Sequence, residues 1–302
     1  MNISIIIPTY NAEKYLPLLL KKLKEQTISF ELIIIDSSSI DNTVTIAREY
    51  TDNIITIPKI EFDHGGTRTK AAKAASGEII VFLTQDALPC DKYAIEKILE
   101  PFEDLNVGAA YGRQIPYEET TLFGKHLRNF NYTDTSYIRI LKDKEQYGIK
   151  TAFLSDSFAA YRKSTLEKIG YFKDGLIVGE DSYAGAKIIL NEYALAYCSE
   201  AQVYHSHSYT VIEEFKRYFD IGVFHKREDW ILQEFGKAEG EGGKYVRSEF
   251  KYLLDKHAYY RIPEFFIRNG MKYIGYKLGQ NYDHLPLNFV KKMSMHRLWW
   301  DK

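Results

Sequence analysis

Apolar residues fall in short runs along the first part of the chain and in longer, spaced patterns along the last third. Ile3–Ile7 is a nearly unbroken apolar run, the pattern of a strand covered on both faces. Pro8 is expected to stop it, and Asn11 to cap a helix running through Tyr15, Leu18, Leu19 and Leu23. Glu31–Ile35 predicts a second strand, and Asp41 the cap of a helix over TVTIAREY. Asn53–Ile57 predicts a third strand, Thr69–Ala75 a small-residue helix and Glu78–Leu83 a fourth strand. Strands alternating with helices imply a mostly parallel, Rossmann-like α/β sheet built from right-handed crossovers.

Beyond Tyr111 the pattern is mixed, with a long aromatic and polar stretch reaching Gly148. A compact return follows in FLSDSFAAYRKSTLEKIGYF, GLIVGEDSYAGAKIIL and AYCSEAQVYHSHSY. From Thr210 the periodicity is helical, most clearly in EEFKRYFDIGVFHKREDWILQEF. A loop is expected at 236–244 (GKAEGEGGK), then helices near 245–256, 263–279 and 287–299. The expected division is an α/β domain over 1–209 and a helical region over 210–302.

In open α/β sheets ligands sit outside the carboxyl ends of the strands. Pro8-Thr9-Tyr10-Asn11, Asp36-Ser37-Ser38-Ser39, the DHGGTR segment (Asp63–Arg68) and Gln85-Asp86 each follow one of the four predicted strands. One site at one edge is the expectation. Asp86 ends a buried strand, where a carboxylate either ligates a hard divalent cation or caps the turn before Pro89. Asp36 suits a base or ribose contact, or an Asx-turn with Ser38 or Ser39. No G-x-G-x-x-G follows the first strand, which argues against a nicotinamide enzyme.

Gly65 and Gly66 permit close backbone approach and positive φ, and Arg68 could fork onto phosphate at a helix start; a glycine turn with a solvated arginine is the plainer alternative. Asp181, after Glu180, is a candidate general base or a helix N-cap, and capping would lower its pKa and weaken it as a base. His205 and His207 alternate along an expected strand; they suit a metal or phosphate contact, or one core and one surface histidine. Lys272, Lys277, Lys291, Lys292 and Arg297, with Phe289, Trp299 and Trp300, suit either an interfacial face toward anionic lipid or an ordinary helical domain with solvated lysines.

Composition narrows the class without choosing the chemistry. The 302 residues allow about two domains. Net charge is −1, with no basic footprint for nucleic acid. Cys90 and Cys198 form no CxxC pair and read as reduced thiols of a cytoplasmic protein. The opening residues lack a signal-peptide pattern and no stretch approaches the ~20 apolar residues of a membrane span, so the expected location is the cytoplasm or the inner face of the cell membrane.

The order of the motifs says more than any one of them. A strand ending in Pro-Thr-Tyr-Asn, then Asp36-Ser-Ser-Ser-Ile-Asp-Asn-Thr, a glycine segment with an arginine, ASGEIIVFLTQDA and GED resembles the inverting family 2 glycosyltransferases of GT-A fold over residues 1–209. EFDHGGTR, FLTQDA, AAYGRQIP, HSHSY and KRYFDIGVFH narrow the resemblance to bacterial rhamnosyltransferases. The resemblance implies Pro8, Thr9, Tyr10 and Glu13 beside the nucleotide, Asp36 on its base and Arg68 near the diphosphate. Gln85, Gly66, Asp63 and His64 would complete donor binding. It implies Asp86 as the ligand of Mg²⁺ or Mn²⁺, His207 as a further metal or phosphate contact, and Asp181 as catalytic base. Two positions depart from the family pattern: Thr84 stands where the first acid of DXD would be, and Thr69 replaces the asparagine after Arg68.

The implied reaction is a single inverting displacement from dTDP-β-L-rhamnose onto a hydroxyl of a cell-surface glycan, free or lipid-linked, in a protein whose C-terminal helices touch the membrane peripherally. A hexosyl or N-acetylhexosaminyl donor, or a non-catalytic glycan-assembly scaffold, are the alternatives. Oligomeric state is open, a dimer included.

Overall fold

The computed structural model describes residues 1–236 and 239–301. Along the chain, β1 (Ile3–Thr9), α1 (Leu16–Lys24), β2 (Glu31–Asp36), α2 (Thr43–Arg48), β3 (Ile54–Thr56), α3 (His64–Ala74) and β4 (Ile79–Leu83) appear in the expected order. Next come β5 (Leu88–Pro89), α4 (Ala94–Leu99), β6 (Val107–Ile115), α5 (Leu122–Asn131), β7 (Tyr137–Arg139) and α6 (Lys144–Tyr147). They are followed by β8 (Phe158–Arg162), α7 (Lys163–Ile169), α8 (Glu180–Leu190) and β9 (Ala194–Tyr204). The chain closes with α9 (Val211–Arg227), α10 (Asp229–Phe235), α11 (Glu239–Asp255), α12 (Ile262–Gln280) and α13 (Leu287–Met293).

Two units divide these elements. The first holds residues 1–117, 132–175 and 180–205; the second holds 118–131, 176–179 and 206–302.

The first unit is organised by one sheet in the order β3-β2-β1-β4-β8-β6-β9-β5, with β7 also paired to β9. β3, β2, β1 and β4 run parallel, as their continuous apolar runs require. β8 is antiparallel to both β4 and β6, and β5 and β7 are antiparallel to β9, so these three strands depart from the parallel pattern while β6 and β9 keep it. Ile5, Ile7, Ile34, Val81, Leu83 and Phe158 join the α1 leucines in one buried core. The antiparallel β8 matters for function: Phe158 at its start lies opposite Leu83 at the end of β4, so the residues before β8 reach the same edge as the ends of the parallel strands.

Several local expectations are corrected. Pro8 does not end β1; it pairs in register with Ile35. Pairing with β4 stops at Ile6, so past that point β1 serves only one ladder and tolerates a missing N–H. Asn11 is not a helix cap: with φ 47° it accepts from Ile40 N, and α1 begins at Leu16. Gly65 and Gly66 are not a turn; α3 starts at His64, with Asp63 as its N-cap accepting from Gly66 N at 2.7 Å. A Cβ on Gly65 would lie 1.9 Å from the Lys173 carbonyl oxygen, so this glycine is needed for close approach rather than for positive φ.

The second unit rests on α9 against α12. A Cβ on Gly222 would meet the Tyr276 carbonyl oxygen at 2.3 Å, one on Gly275 the Phe215 oxygen at 2.4 Å, and one on Gly279 the Phe219 oxygen at 2.0 Å. Alanine in mid-helix normally gains about 1 kcal/mol over glycine. Here the backbone overlap outweighs that gain, and Gly279→Ala is expected to destabilise the protein by about 2–3 kcal/mol in urea unfolding. A neutral or stabilising result would refute the close contact.

Charges are buried between these helices. Glu214 of α9 pairs with Arg268 at 3.1 Å and Lys272 at 3.4 Å, both from α12, and Tyr245 donates to the buried Glu249 of α11 at 2.5 Å. Lys272, expected on a lipid-facing surface, is therefore an interior residue. Lys291 pairs with Asp301, Trp299 lies under Arg227, and Trp300 packs on Tyr282 and Phe219.

The expected helix EEFKRYFDIGVFHKREDWILQEF breaks at Glu228 into α9 and α10. Of the expected loop at 236–244, Gly236 is non-helical, with φ 92°, and from Glu239 the glycine-rich segment is helical, carried by inward-facing Tyr245, Glu249 and Leu253. Lys237 and Ala238 lie outside the described residues. Among the described residues no helix is long and apolar enough to cross a membrane.

Candidate active site

The carboxyl ends of β1, β2, β4, β6 and β9 and the start of β8 share one sheet edge through their registers. Polar side chains at that edge are linked, partly by hydrogen bonds and partly as neighbours along the chain, within the first unit. The series begins at Asp36, which is fully buried at the end of β2. Its carboxylate accepts from Thr9 Oγ1 at 3.0 Å, Ser39 N at 2.9 Å and Ser39 Oγ at 2.6 Å. The Asx-turn reading of Asp36 is thus realised, and Thr9 and Asp36 tie the ends of β1 and β2 together. Glu13 and Asp41 extend the tie: Asp41 accepts from Glu13 N, and Glu13 accepts from Asn42 N. Asp41 also accepts from Thr43 N and Oγ1 at the first turn of α2.

Tyr10 follows directly on Pro8 and Thr9. Gln85 Oε1 accepts from Tyr10 N at 2.9 Å, and Gln85 Nε2 donates to Tyr10 O at 3.3 Å. This two-point clamp fixes the end of β1 to the turn after β4. The Tyr10 ring lies under the Lys59 ammonium, 4.3 Å from its centroid.

Asp86 is the next link, partly exposed, with its Oδ1 3.5 Å from His205 Nε2. His205 is buried and its Nδ1 donates to Gln114 Oε1 at 2.8 Å, which turns Nε2 toward Asp86. β9 ends at Tyr204, so neither His205 nor His207 lies on a strand face, and the alternation expected for them does not apply. His205 is the buried one and His207 the more open, and His207 belongs to the second unit.

Whether Asp86 and His205 fit one divalent cation is a matter of span. Two metal–ligand bonds of ~2.2 Å reach up to about 4.4 Å between ligand atoms, so a 3.5 Å separation falls within range. A carboxylate oxygen with an imidazole nitrogen held by a second hydrogen bond is a donor set that divalent metals take.

Gln114 carries the chain onward, donating from Nε2 to Ser155 Oγ at 3.0 Å. Asp156 follows, and around it lies a compact charged cluster. Arg68 Nε is 3.0 Å from Asp156 Oδ2, and Arg68 Nη1 is 3.0 Å from Glu180 Oε1; all three are buried. Tyr161 donates to Asp156 Oδ1 at 2.5 Å. Asp156 N approaches Asp181 Oδ2 at 3.4 Å, and Ser182 N donates to Asp181 Oδ1 at 2.7 Å.

Three carboxyls face one guanidinium here, and burial cannot tolerate the excess charge. Asp181 is pushed up to about 6, first by burial and then by the neighbouring Glu180 carboxylate. Burial also raises Asp156, against the pull of Arg68. The lowered pKa expected for Asp181 as a helix cap is therefore reversed: it sits inside the first turn of α8, it keeps some accessible surface, and its surroundings make it a better base.

Arg68 is not a solvated arginine beside a glycine turn. The residue is 6% exposed and its guanidinium is held by carboxylates of the protein. Asp63 is committed as the cap of α3 and also accepts from Gly175 N at 2.9 Å. His64 Nδ1 lies 3.8 Å from Glu180 Oε1. Gly66 lines a cavity of about 480 Å³ with Thr69, Lys70 and Lys73.

The structure adds Asp156, Tyr161, Gln114 and Glu180 to the expected residues, and moves weight from His207 to His205. Asp156 lies in the unremarkable run Ser155-Asp156-Ser157, whose place at the edge depends on β8 running antiparallel. A Ser-Asp-Ser turn just before an apolar strand was the only signal.

Residues 4–170 match the profile of Glycosyl transferase family 2. The chain is 45% identical to the O-antigen chain rhamnosyltransferase WbaN of Salmonella anatum, over 99% of this chain and 95% of that protein. It is 44% identical to the O-antigen chain rhamnosyltransferase RfbN of Salmonella typhimurium, over 100% and 96%. Among solved structures, the mannosyltransferase PcManGT from Pyrobaculum calidifontis, in complex with GDP-Man and Mn²⁺, superposes with a TM-score of 0.62 at 17% identity, over 100% of this chain and 88% of that one. That last likeness concerns the fold alone.

Proposed function

We propose that this chain, which belongs to glycosyltransferase family 2, is an inverting rhamnosyltransferase of cell-surface polysaccharide assembly, of the O-antigen kind. Full-length similarity to two O-antigen rhamnosyltransferases supports the sugar class. The observation that carries the mechanism is Asp181, a carboxylate raised to about 6 at the end of the polar chain that starts at Asp36.

The donor in this reading is dTDP-β-L-rhamnose and the acceptor a hydroxyl of a lipid-linked glycan. The first unit binds the donor and carries the chemistry, the functional boundary lying near residue 209. Asp36, Thr9, Tyr10 and Gln85 shape the nucleotide end, with Pro8, Glu13, Asp63, His64 and Gly66 around it. Asp86 and His205 would hold a divalent cation. His207 is one residue removed from His205, so the backbone keeps it within about 7 Å as a further ligand or phosphate contact. A cation bound there would offset the charge developing on the departing nucleoside diphosphate. Asp181 takes the proton of the acceptor hydroxyl as that oxygen bonds to the anomeric carbon; the bond from that carbon to the phosphate oxygen breaks, and configuration inverts. Burial and the Glu180 carboxylate keep the Asp181 pKa high, while Arg68, paired with Asp156 and Glu180, holds the cluster in place and limits the rise.

The test is nucleotide release from dTDP-β-L-rhamnose with Mn²⁺ and an undecaprenyl-diphosphate-linked glycan, with UDP-hexose and UDP-N-acetylhexosamine in parallel. Turnover of a UDP-sugar but not of dTDP-rhamnose would sink the donor assignment. No turnover of any nucleotide sugar would favour a non-catalytic scaffold, a reading that Thr84 in place of the first DXD acid keeps on the table. In the same assay Asp86→Ala is expected to lose roughly 10²-fold in activity at limiting Mn²⁺. An unchanged response to Mn²⁺ and to EDTA would remove Asp86 from the cation.

A further inference from the structure

Helix α12 is amphipathic in the reverse sense. Its inward face carries Arg268 and Lys272, neutralised by Glu214 and Glu264. Its outward face carries Pro263, Phe266, Ile267, Gly270, Tyr273 and Ile274, spaced at three and four residues along one stripe. Phe266 is 63% exposed, Ile267 57%, Tyr273 60% and Ile274 48%. Tyr259 and Tyr260 continue the stripe before the helix, at 57% and 74% exposure. Together these side chains leave several hundred Å² of apolar surface in water, on the order of the largest patch expected on a whole monomer.

No acid interrupts the stripe: Glu264, beside it, is paired with Arg261 and Arg268. Bases stand at both ends, with Arg261 over the Tyr260 ring and Lys277 near the Tyr273 ring. Leaving out the buried Arg268 and Lys272, residues 256–302 hold seven lysines and arginines against three acids, in a chain of net charge −1. Two candidate occupants respond to that charge in opposite ways. A second copy packed two-fold on the same stripe would set basic ends near basic ends. An anionic bilayer would complement them while receiving the aromatic and aliphatic side chains at the headgroup boundary.

We propose that the outward face of α12, from Tyr259 to Lys277, is a membrane-docking surface that lies flat on anionic phospholipid. The inference rests on the reading that the acceptor is lipid-linked, and it gives the enzyme access to such a substrate without a spanning segment. It differs from the surface expected from sequence, because Lys272 is interior and Trp300 is packed.

The experiment uses the full-length chain in sedimentation with vesicles of phosphatidylcholine alone or of equimolar phosphatidylcholine and phosphatidylglycerol. The wild type is expected to bind the anionic vesicles at least about ten-fold better than the neutral ones, and less well as salt rises. The double variant Phe266→Gln/Ile274→Gln is expected to lose about ten-fold in vesicle binding while its melting temperature and its release of dTDP from dTDP-rhamnose stay at the wild-type level, since both side chains face solvent. Absence of binding to anionic vesicles, or binding that the double variant leaves unchanged, overturns the proposal. So does a wild type that is dimeric in light scattering and becomes monomeric in the variant, which would assign the stripe to a second copy. Because dTDP release is measured on the undecaprenyl-linked acceptor in detergent, with no bilayer present, failure of docking is distinguishable from failure of the rhamnosyltransferase reading.

Discussion

Asp181→Asn should leave dTDP binding within about two-fold of wild type and cut transfer by on the order of 10³-fold. The asparagine keeps the shape and can still accept from Ser182 N, so the start of α8 is preserved. What disappears is the ability to take a proton. The wild-type pH profile adds a second reading of the same residue. A base must be unprotonated, so kcat/KM should fall as pH drops through about 6, where burial and Glu180 have raised Asp181. Glu180→Gln removes the nearest like charge while keeping an oxygen for Arg68, so the acid limb should move to lower pH. A limb that stays in place in Glu180→Gln, together with substantial turnover by Asp181→Asn, would transfer the base role to another group.

The second large effect concerns folding. Arg68→Met should destabilise the protein by about 4 kcal/mol, because it strips the paired guanidinium from buried Asp156 and Glu180. In thermal unfolding that corresponds to a drop of roughly 10 °C. The loss should depend on pH. Acids whose folded pKa is raised favour the fold most below their unfolded value, and that advantage is lost as pH rises through the folded value. Removing the cation raises them further. The deficit relative to wild type should therefore be small near the unfolded value of 3.8 and grow as pH passes about 6. Adding Asp156→Asn to Arg68→Met should restore part of the stability. If Arg68→Met instead melts like wild type but fails to bind dTDP, the guanidinium serves the diphosphate rather than the carboxylates.

What could be read along the chain was whatever depends on near neighbours. Ile3–Ile7, Glu31–Ile35 and Glu78–Leu83 declare β1, β2 and β4 because a strand buried on both faces must be apolar at successive positions. The polar residues that close those strands had to share an edge once the strands were parallel, so Thr9, Asp36, Gln85 and Asp86 were found without coordinates. Residue order alone also carried the family resemblance, down to Asp181.

Local pattern failed wherever a distant segment sets the energy. Pro8 continues β1 because its pairing with β4 has already ended, and glycines 240, 242 and 243 stay helical because α11 is anchored through Tyr245, Glu249 and Leu253. Arg68 reads as a phosphate ligand until Asp156, from the turn before an antiparallel strand, arrives beside it. Burial, with the Glu180 carboxylate beside it, turns Asp181 from a capped weak base into a carboxylate raised to about 6. Lys272 and Phe266 exchange the positions their chemistry suggests, since Glu214 and Glu249 wait inside the second unit to receive the lysine. Charge, burial and pKa belong to the sum of surroundings in three dimensions, and no window along the chain contains that sum.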